Sequence, residues 1–429
     1  MNKIVLKYLA AENFASFADK VEFTTESDVS KKEFLENTFS CNDMVFNKVN
    51  FLYGANGSGK TYFCKILREL QRMFINSPFI AFNERVPNLP IFKGIDESIR
   101  KFVFDESYKE KPTTFGVELV IDDIIYHYEF SMFNKKVCHE LLTKRYRRTE
   151  KLLNRTSPSY KDIELRSDLK QFEDMKYVVK EEALCLPIAA MLNNKLAQKI
   201  NNAIQDISIV SMAAARIRPK DVEESFSLKR IEKYISILQK ADPTLRDIKI
   251  SVEEAEVSHN KPDRDDFENR DNLIKKTRIG VKPVHAIFKD GQEMEGTPIN
   301  FFEEESLGTI KLFTVLPYLF EVLEKGGVLF LDEIENGLHL SLAREILELF
   351  KNEKTNPNHA QLICTSHQPL LLDGDFRRDQ VWIASKDSYG KSHLNRMSEL
   401  KTSRAKFNLS NKIIEGAFGC NPDKFFNNI

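Results

Sequence analysis

Eight residues constrain this chain more than any others: Gly54-Ala55-Asn56-Gly57-Ser58-Gly59-Lys60-Thr61. Their spacing is G-x-x-x-x-G-K-[ST], the pattern of a loop that cradles phosphate. The apolar run Val49-Asn50-Phe51-Leu52-Tyr53 precedes it and predicts a short buried parallel strand. Phe63, Ile66, Leu67 and Leu70 follow at helical spacing. Strand, glycine loop and helix are the context that the pattern requires. Glycines let backbone N–H groups turn toward phosphate oxygens, and the helix N-terminus adds partial positive charge. Gly54, Asn56, Gly57, Ser58, Gly59, Lys60 and Thr61 are therefore the candidate nucleotide-binding residues. Lys60 is expected to reach the β- and γ-phosphates, and the Thr61 hydroxyl to bind Mg²⁺. From average residue usage the pattern arises by chance in a chain this long roughly two times in a hundred, and the flanking elements lower that further.

The chain of 429 residues can hold two or three domains with a sizeable core. A formal net charge of −1 means that any basic surface must be local. No run of about 18 apolar residues occurs, so no membrane span is expected. The N-terminus lacks the apolar core of a signal peptide, which predicts a cytoplasmic protein. Six cysteines are scattered without a C-x-x-C pair, which argues against zinc and against a disulfide framework.

Residues 1–53 read as strands and turns, with a polar stretch from Thr24 to Asp43. The helix after the loop is expected to end near Asn76-Ser77-Pro78. Residues 77–112, with four prolines, read as irregular connection. Phe115, Val117 and Leu119, a turn at Asp122-Asp123, then Tyr126, Tyr128 and Phe130 predict a strand pair. The basic cluster Lys144-Arg145-Tyr146-Arg147-Arg148 suits a phosphate backbone, but reads first as a solvated edge strand kept from aggregating by charge. Asp168 to Asp206 is helical in pattern, Ile207–Ser211 is β-rich, and Phe226 to Lys240 is an amphipathic helix before a strand at Ile248–Val252. Residues 253–278, dense in opposite charges, read as a solvated or disordered loop. The domain reading is 1–76, an N-terminal half carrying the loop; 77–160, irregular connection and hairpin; 161–290, a mostly helical insert; and 291–429, a C-terminal half.

Val328-Leu329-Phe330-Leu331-Asp332-Glu333 is an apolar run that ends in two acids. An α/β sheet places its ligand chemistry at the carboxyl ends of such strands. Asp332 is the candidate metal residue beside Thr61, and Glu333 the candidate general base for an attacking water. Gln361–Ser366 is another apolar strand, ending in His367, a candidate γ-phosphate donor. Glu305-Ser306-Leu307-Gly308-Thr309 opens a helix from Ile310 to Glu324, so Ser306 and Gly308 stand at an anion-binding N-terminus.

The order of these motifs resembles ABC-type ATPases: Walker A at Gly54–Thr61, a signature-like Glu305–Thr309, Walker B at Val328–Glu333, a D-loop-like Glu335-Asn336-Gly337-Leu338-His339 and a switch histidine at His367. The E-S-x-G-T signature is similar to that of the soluble SMC/RecF/OLD-like branch. Arg377–Trp382 and Glu415–Pro422 resemble the phage-defence ATPases of the RloA/AbiL type and the ATPase subunit of the PARIS system. Two positions depart from those relatives: Ala15 and Ala417 stand where basic residues are common. The resemblance implies an α/β fold, an ABC-type P-loop ATPase head with mixed sheets and an inserted helical/β subdomain. It implies ATP and Mg²⁺ as cofactors, with slow hydrolysis using Lys60, Glu333 and His367. It also implies a homo-oligomer of head-to-head ATP-sandwich dimers, in which Ser306 and Gly308 contact γ-phosphate in trans.

By the same resemblance the chain is an antiphage sensor that controls a separate effector, a Toprim-like nuclease, in response to a phage-encoded trigger protein. Only about sixty residues follow His367, too few for a built-in nuclease, which is why the effector is expected in trans. The alternative is a RecF/SMC-like DNA-binding ATPase of repair or processing, for which nucleic-acid affinity would fall with salt. A transporter subunit fits poorly, with no L-S-G-G-Q motif and over 240 residues between the loop and the signature.

Overall fold

The computed structural model describes residues 4–30, 32–82, 99–214, 226–257, 274–298, 301–373, 376–400 and 410–411. Two compact units share the chain: Met1–Ser211, Val322–Asn336 and Leu340–Ile429 form the first, and Met212–Glu321 with Gly337–His339 the second.

The first unit opens with β1 (Ile4–Glu12), β2 (Val21–Thr24), the small pair β3 (Thr38–Cys41) and β4 (Met44–Asn47), then β5 (Val49–Tyr53) and α1 (Lys60–Phe82). β6 (Thr113–Ile121), β7 (Ile124–Phe133), β8 (Lys136–Arg145), β9 (Thr149–Arg155), β10 (Ile163–Leu165), α2 (Cys185–Met191), α3 (Lys195–Gln205) and β11 (Ser208–Ser211) follow. The second unit contributes α4 (Leu228–Ala241), β12 (Leu245–Val257), β13 (Ile274–Lys289), β14 (Gln292–Pro298), the short α5 (Phe301–Glu304) and most of α6 (Leu307–Lys325). The chain then returns to the first unit with β15 (Val328–Asp332), α7 (Leu340–Lys351), β16 (Gln361–Ser366), β17 (Val381–Lys386) and β18 (Ser392–Arg396).

Two sheets build the first unit. One is antiparallel, in the order β10-β9-β8-β7-β6-β1-β2. The other runs β11-β15-β16-β5-β17-β18 and is parallel except for β18. Every residue of β5, β15 and β16 is buried, which explains their unbroken apolar sequence: a parallel sheet is covered on both faces. α1 packs against both sheets, because Phe63 meets Phe23 of β2 at 5.1 Å and Phe330 of β15 at 6.3 Å between ring centroids. One continuous core therefore serves both sheets. This is the α/β fold with mixed sheets expected from the sequence, and the second unit is the helical/β insertion.

Three local expectations fail. α1 does not stop at Pro78 but runs to Phe82. Proline removes only one donor, and the buried face formed by Phe74, Ser77 and Ala81 holds the turn. Ser77 Oγ donates to the Met73 carbonyl at 2.7 Å and accepts the Leu184 N–H at 2.9 Å. Second, the basic cluster is not on an edge strand: β8 is paired on both sides, to β7 and β9, and the sheet edges are β10 and β2. Third, residues 253–257 and 274–278 are not loop but the ends of β12 and β13, paired from Leu245↔His285 to Val257↔Ile274. Alternating opposite charge suits paired strands as well as a solvated loop. The remainder of that stretch, 258–273, lies outside the described residues, as do Glu415–Pro422 and Ala417.

In the second unit β12, β13 and β14 form an antiparallel sheet. Phe226, Tyr234, Phe301 and Phe313 make its aromatic core, with Phe301 and Phe313 edge to face at 4.9 Å. Among the described residues no helix is long and apolar enough to cross a membrane.

Candidate nucleotide site

The register of the parallel sheet lines up three carboxyl ends. β16 pairs with β15 through Leu331↔Cys364 and with β5 through Ser366↔Tyr53. The phosphate loop, Asp332-Glu333 and Ser366-His367 therefore emerge side by side, where an open α/β sheet places its ligands.

The loop has the backbone its sequence demands. Gly57 and Gly59 take φ of +81° and +109°, conformations that L side chains rarely adopt. A Cβ on Gly57 would meet nothing within 4 Å, so the crest of the loop is open. A Cβ on Gly59 would lie 2.5 Å from Ser392 Oγ, so the base of the loop is packed tight. Ser392 is anchored there by its N–H to the Ser16 carbonyl at 2.7 Å. Ser58 Oγ is buried without a hydrogen-bond partner. Asn56, Gly57 and Thr61 are exposed. An open crest, a tight base and an unsatisfied hydroxyl fit a bound phosphate chain.

Lys60 is buried, and its Nζ donates to the carbonyls of Gly54 at 2.6 Å and Ala55 at 2.8 Å. Burial lowers its pKa, and the nearby carboxylates of Glu335, Asp332 and Glu333 oppose that. Asp332 accepts the Thr365 hydroxyl at 2.6 Å and lies against the Thr61 hydroxyl. Burial raises the Asp332 pKa, while those two hydroxyls pull it back down. Glu333 has φ +57°, uncommon for a residue with a side chain. Its N–H donates to Thr365 Oγ1 at 2.9 Å, and its carboxylate accepts Asn336 Nδ2 at 2.9 Å. Both ring and backbone of His367 meet Glu335: Nδ1 and the N–H each lie 2.8 Å from Oε1.

The structure thus brings Lys60, Thr61, Asp332, Glu333 and His367 to one edge of one sheet. Ser306 and Gly308 belong to the second unit. There Ser306 is exposed and caps α6, its Oγ accepting the Thr309 N–H at 3.1 Å. Gly308 faces Gly337, whose carbonyl would lie 3.2 Å from a Cβ at that position. Glu305 is tied to β13 by His285 Nε2 at 2.5 Å, and His285 Nδ1 meets the Thr244 hydroxyl at 2.9 Å. Asp242 stands 3.6 Å from Nδ1 and accepts the Thr244 hydroxyl at 2.6 Å, so Thr244 links it to the ring.

Sequence reasoning missed Thr365, which bridges both acids, and Glu335, which orients His367. The signal for Thr365 was a hydroxyl beside Ser366 at the end of an apolar run, and Glu335 stood in the D-loop-like segment without an assigned role. At Ala15 the backbone N–H donates to the Arg100 carbonyl at 2.8 Å, and the Arg100 guanidinium lies over the Tyr62 ring at 5.4 Å. A cation thus stands beside the start of α1 although residue 15 is alanine.

Residues 49–179 and 210–373 match the family model described as "AAA domain, putative AbiEii toxin, Type IV TA system". The chain belongs to this family. The AAA match spans the phosphate loop, the signature-like segment, the acidic strand and the histidine strand. Among solved structures the chain is similar to the SMC head domain from Thermotoga maritima, at 12% identity and a TM-score of 0.36, covering 92% of this chain and 99% of that one. No curated protein matches the sequence.

Proposed function

We propose that this AAA protein is a slow ATPase that works as a pair of heads and controls a separate effector in antiphage defence. One observation carries the reading: Lys60, Asp332 and Glu333 share a sheet edge, with the acids tied together through Thr365. Lys60 and the loop backbone hold the triphosphate of ATP. Thr61 and Asp332 would hold Mg²⁺, which would supply charge neutralisation at the phosphates. Glu333 takes the proton of the attacking water, and His367, oriented by Glu335, donates to the γ-phosphate. Ser306, which is exposed, and Gly308 complete the site of a second copy. The toxin–antitoxin description of the family supports a role in controlling toxicity. The motif resemblance to RloA/AbiL-type and PARIS ATPases supports a phage-encoded trigger and a Toprim-like nuclease as effector, with the action in the cytoplasm.

The test is Glu333→Gln. The variant is expected to bind ATP, hydrolyse it at least a hundredfold more slowly (on the order of 10²–10⁴ for loss of a general base), and accumulate as an ATP-bound dimer in light scattering. Full-speed hydrolysis by Glu333→Gln overturns the assignment. Co-purification with the neighbouring gene product tests the effector: neither complex nor altered activity removes that part.

A further inference from the structure

The β8–β9 hairpin ends in the turn Tyr146-Arg147-Arg148; β8 is paired on both sides, and β10 covers only Leu153–Arg155 of β9 and does not reach the tip. Lys144 neutralises the local acids, lying 3.3 Å from both Glu150 and Asp168. Arg145, Arg147, Arg148 and Lys151 remain, with no acid partner among the described residues. Arg147, Arg148 and Lys151, together with Lys144, Glu150 and Arg166, which lies 3.6 Å from Glu164, line an open concavity of about 670 Å³. Tyr146 is 64% exposed beside them, its ring under the Arg147 guanidinium at 5.9 Å. A chain with net charge −1 has thus gathered Arg147, Arg148 and Lys151, none paired to an acid among the described residues, and an exposed aromatic ring in one hollow. Cations gathered at one turn attract a polyanion. The exposed ring selects among polyanions, because an acidic protein offers carboxylates alone, whereas an unpaired base offers a flat face to stack.

We infer that the β8–β9 tip docks single-stranded nucleic acid, its arginines on the phosphate backbone and Tyr146 under a base. The inference rests on the antiparallel sheet of the first unit and not on the nucleotide site, so its failure leaves the ATPase reading standing.

The experiment is fluorescence anisotropy of a labelled mixed-sequence oligonucleotide titrated with the full chain, without nucleotide, at several salt concentrations from about 50 to 200 mM. Binding should weaken steeply with salt. Arg147→Gln/Arg148→Gln should flatten the slope of log K against log salt by roughly 1.4, at about 0.7 per single-strand phosphate contact. Tyr146→Ala should lose roughly five- to a hundredfold in affinity with the slope unchanged. ATP turnover, unchanged in both variants, reports that they fold. Absence of binding at low salt overturns the proposal. So does binding that neither variant weakens, or polyglutamate competing as well as unlabelled strand, which would mark the surface as a dock for acidic protein.

Discussion

Thr365 joins the two acids of the candidate site: its hydroxyl donates to Asp332 at 2.6 Å and accepts the backbone N–H of Glu333 at 2.9 Å. One side chain on β16 thereby fixes both the carboxylate expected to hold Mg²⁺ and the backbone that presents the general base. Thr365→Val keeps the shape and removes both bonds. It should lower kcat for ATP hydrolysis about 10- to 100-fold, the range for residues that orient ligands from behind. Thr365→Ser should restore most of it. Steady-state kinetics of the three forms check this, and a valine variant with unaltered kcat would show the bridge to be idle.

Glu305 precedes the exposed Ser306, and its side chain is 4% exposed while bonded to His285. Replacing His285 with Ala strands that carboxylate at the start of α6, at a cost of about 1–3 kcal/mol. The expected result is a lower melting temperature and weaker ATP-driven pairing of heads, with binding of a fluorescent ADP analogue to the single chain unchanged. Loss of ADP binding would place His285 elsewhere in the mechanism.

Glu118 on β6 carries a pH dependence. Burial pushes its pKa up, but the His127 ring 3.3 Å away and the Lys7 ammonium, bonded at 2.8 Å, outweigh that and hold it at about 2. A folded pKa below the unfolded one, about 4.3 for glutamate, stabilises above the unfolded value. That stability is lost as pH falls from about 4.3 through about 2. The full shift would carry roughly 3 kcal/mol, and because the Glu118 side chain is partly exposed, solvent screening leaves only part of it. Urea midpoints measured from pH 5 down to 2.5 should therefore fall less steeply in Glu118→Gln than in the parent chain. Parallel curves would mean that the Lys7–Glu118 contact contributes nothing.

Arg155 and Glu140 form a buried pair at 3.9 Å, both side chains fully covered. Glu140 accepts the N–H groups of Cys185 and Leu186 at 2.8 and 3.0 Å and the Tyr128 hydroxyl at 2.8 Å, so it caps α2 from β8. Arg155 donates to the carbonyls of Ser157 at 2.9 Å and Ala183 at 2.8 Å. Arg155→Ala leaves the buried Glu140 without its countercharge and several carbonyls without donors, and should destabilise by about 3–5 kcal/mol. The guanidinium chloride midpoint measures it. A change below about 1 kcal/mol would mean that water replaces the guanidinium.

The phosphate loop, its flanking strand and helix, the acidic strand and the histidine strand were legible in the sequence. Each is a local pattern: glycine spacing, an unbroken apolar run, a 3.6-residue period. Such patterns also revealed the hairpin of β6 and β7. Other features depended on partners far along the chain. Pro78 reads as a stop until Leu184 is seen bonding Ser77. The basic cluster reads as an edge strand until β7 and β9 are seen paired on either side of β8. Thr365 is one more polar residue in a strand until the register sets it between Asp332 and Glu333.

The chain's own residue order thus determined which chemistry is available: a lysine and glycines for phosphate, acids for metal and water, a histidine at a strand's end. Only the tertiary structure decided that Lys60, Asp332, Glu333 and His367 meet at one sheet edge, and that Thr365 and Glu335 hold them there. The physical reason is that a strand's pattern specifies its faces but not its neighbours. Neighbours are chosen by burial and hydrogen-bond register across more than three hundred residues of chain separation, as between β5 and β16.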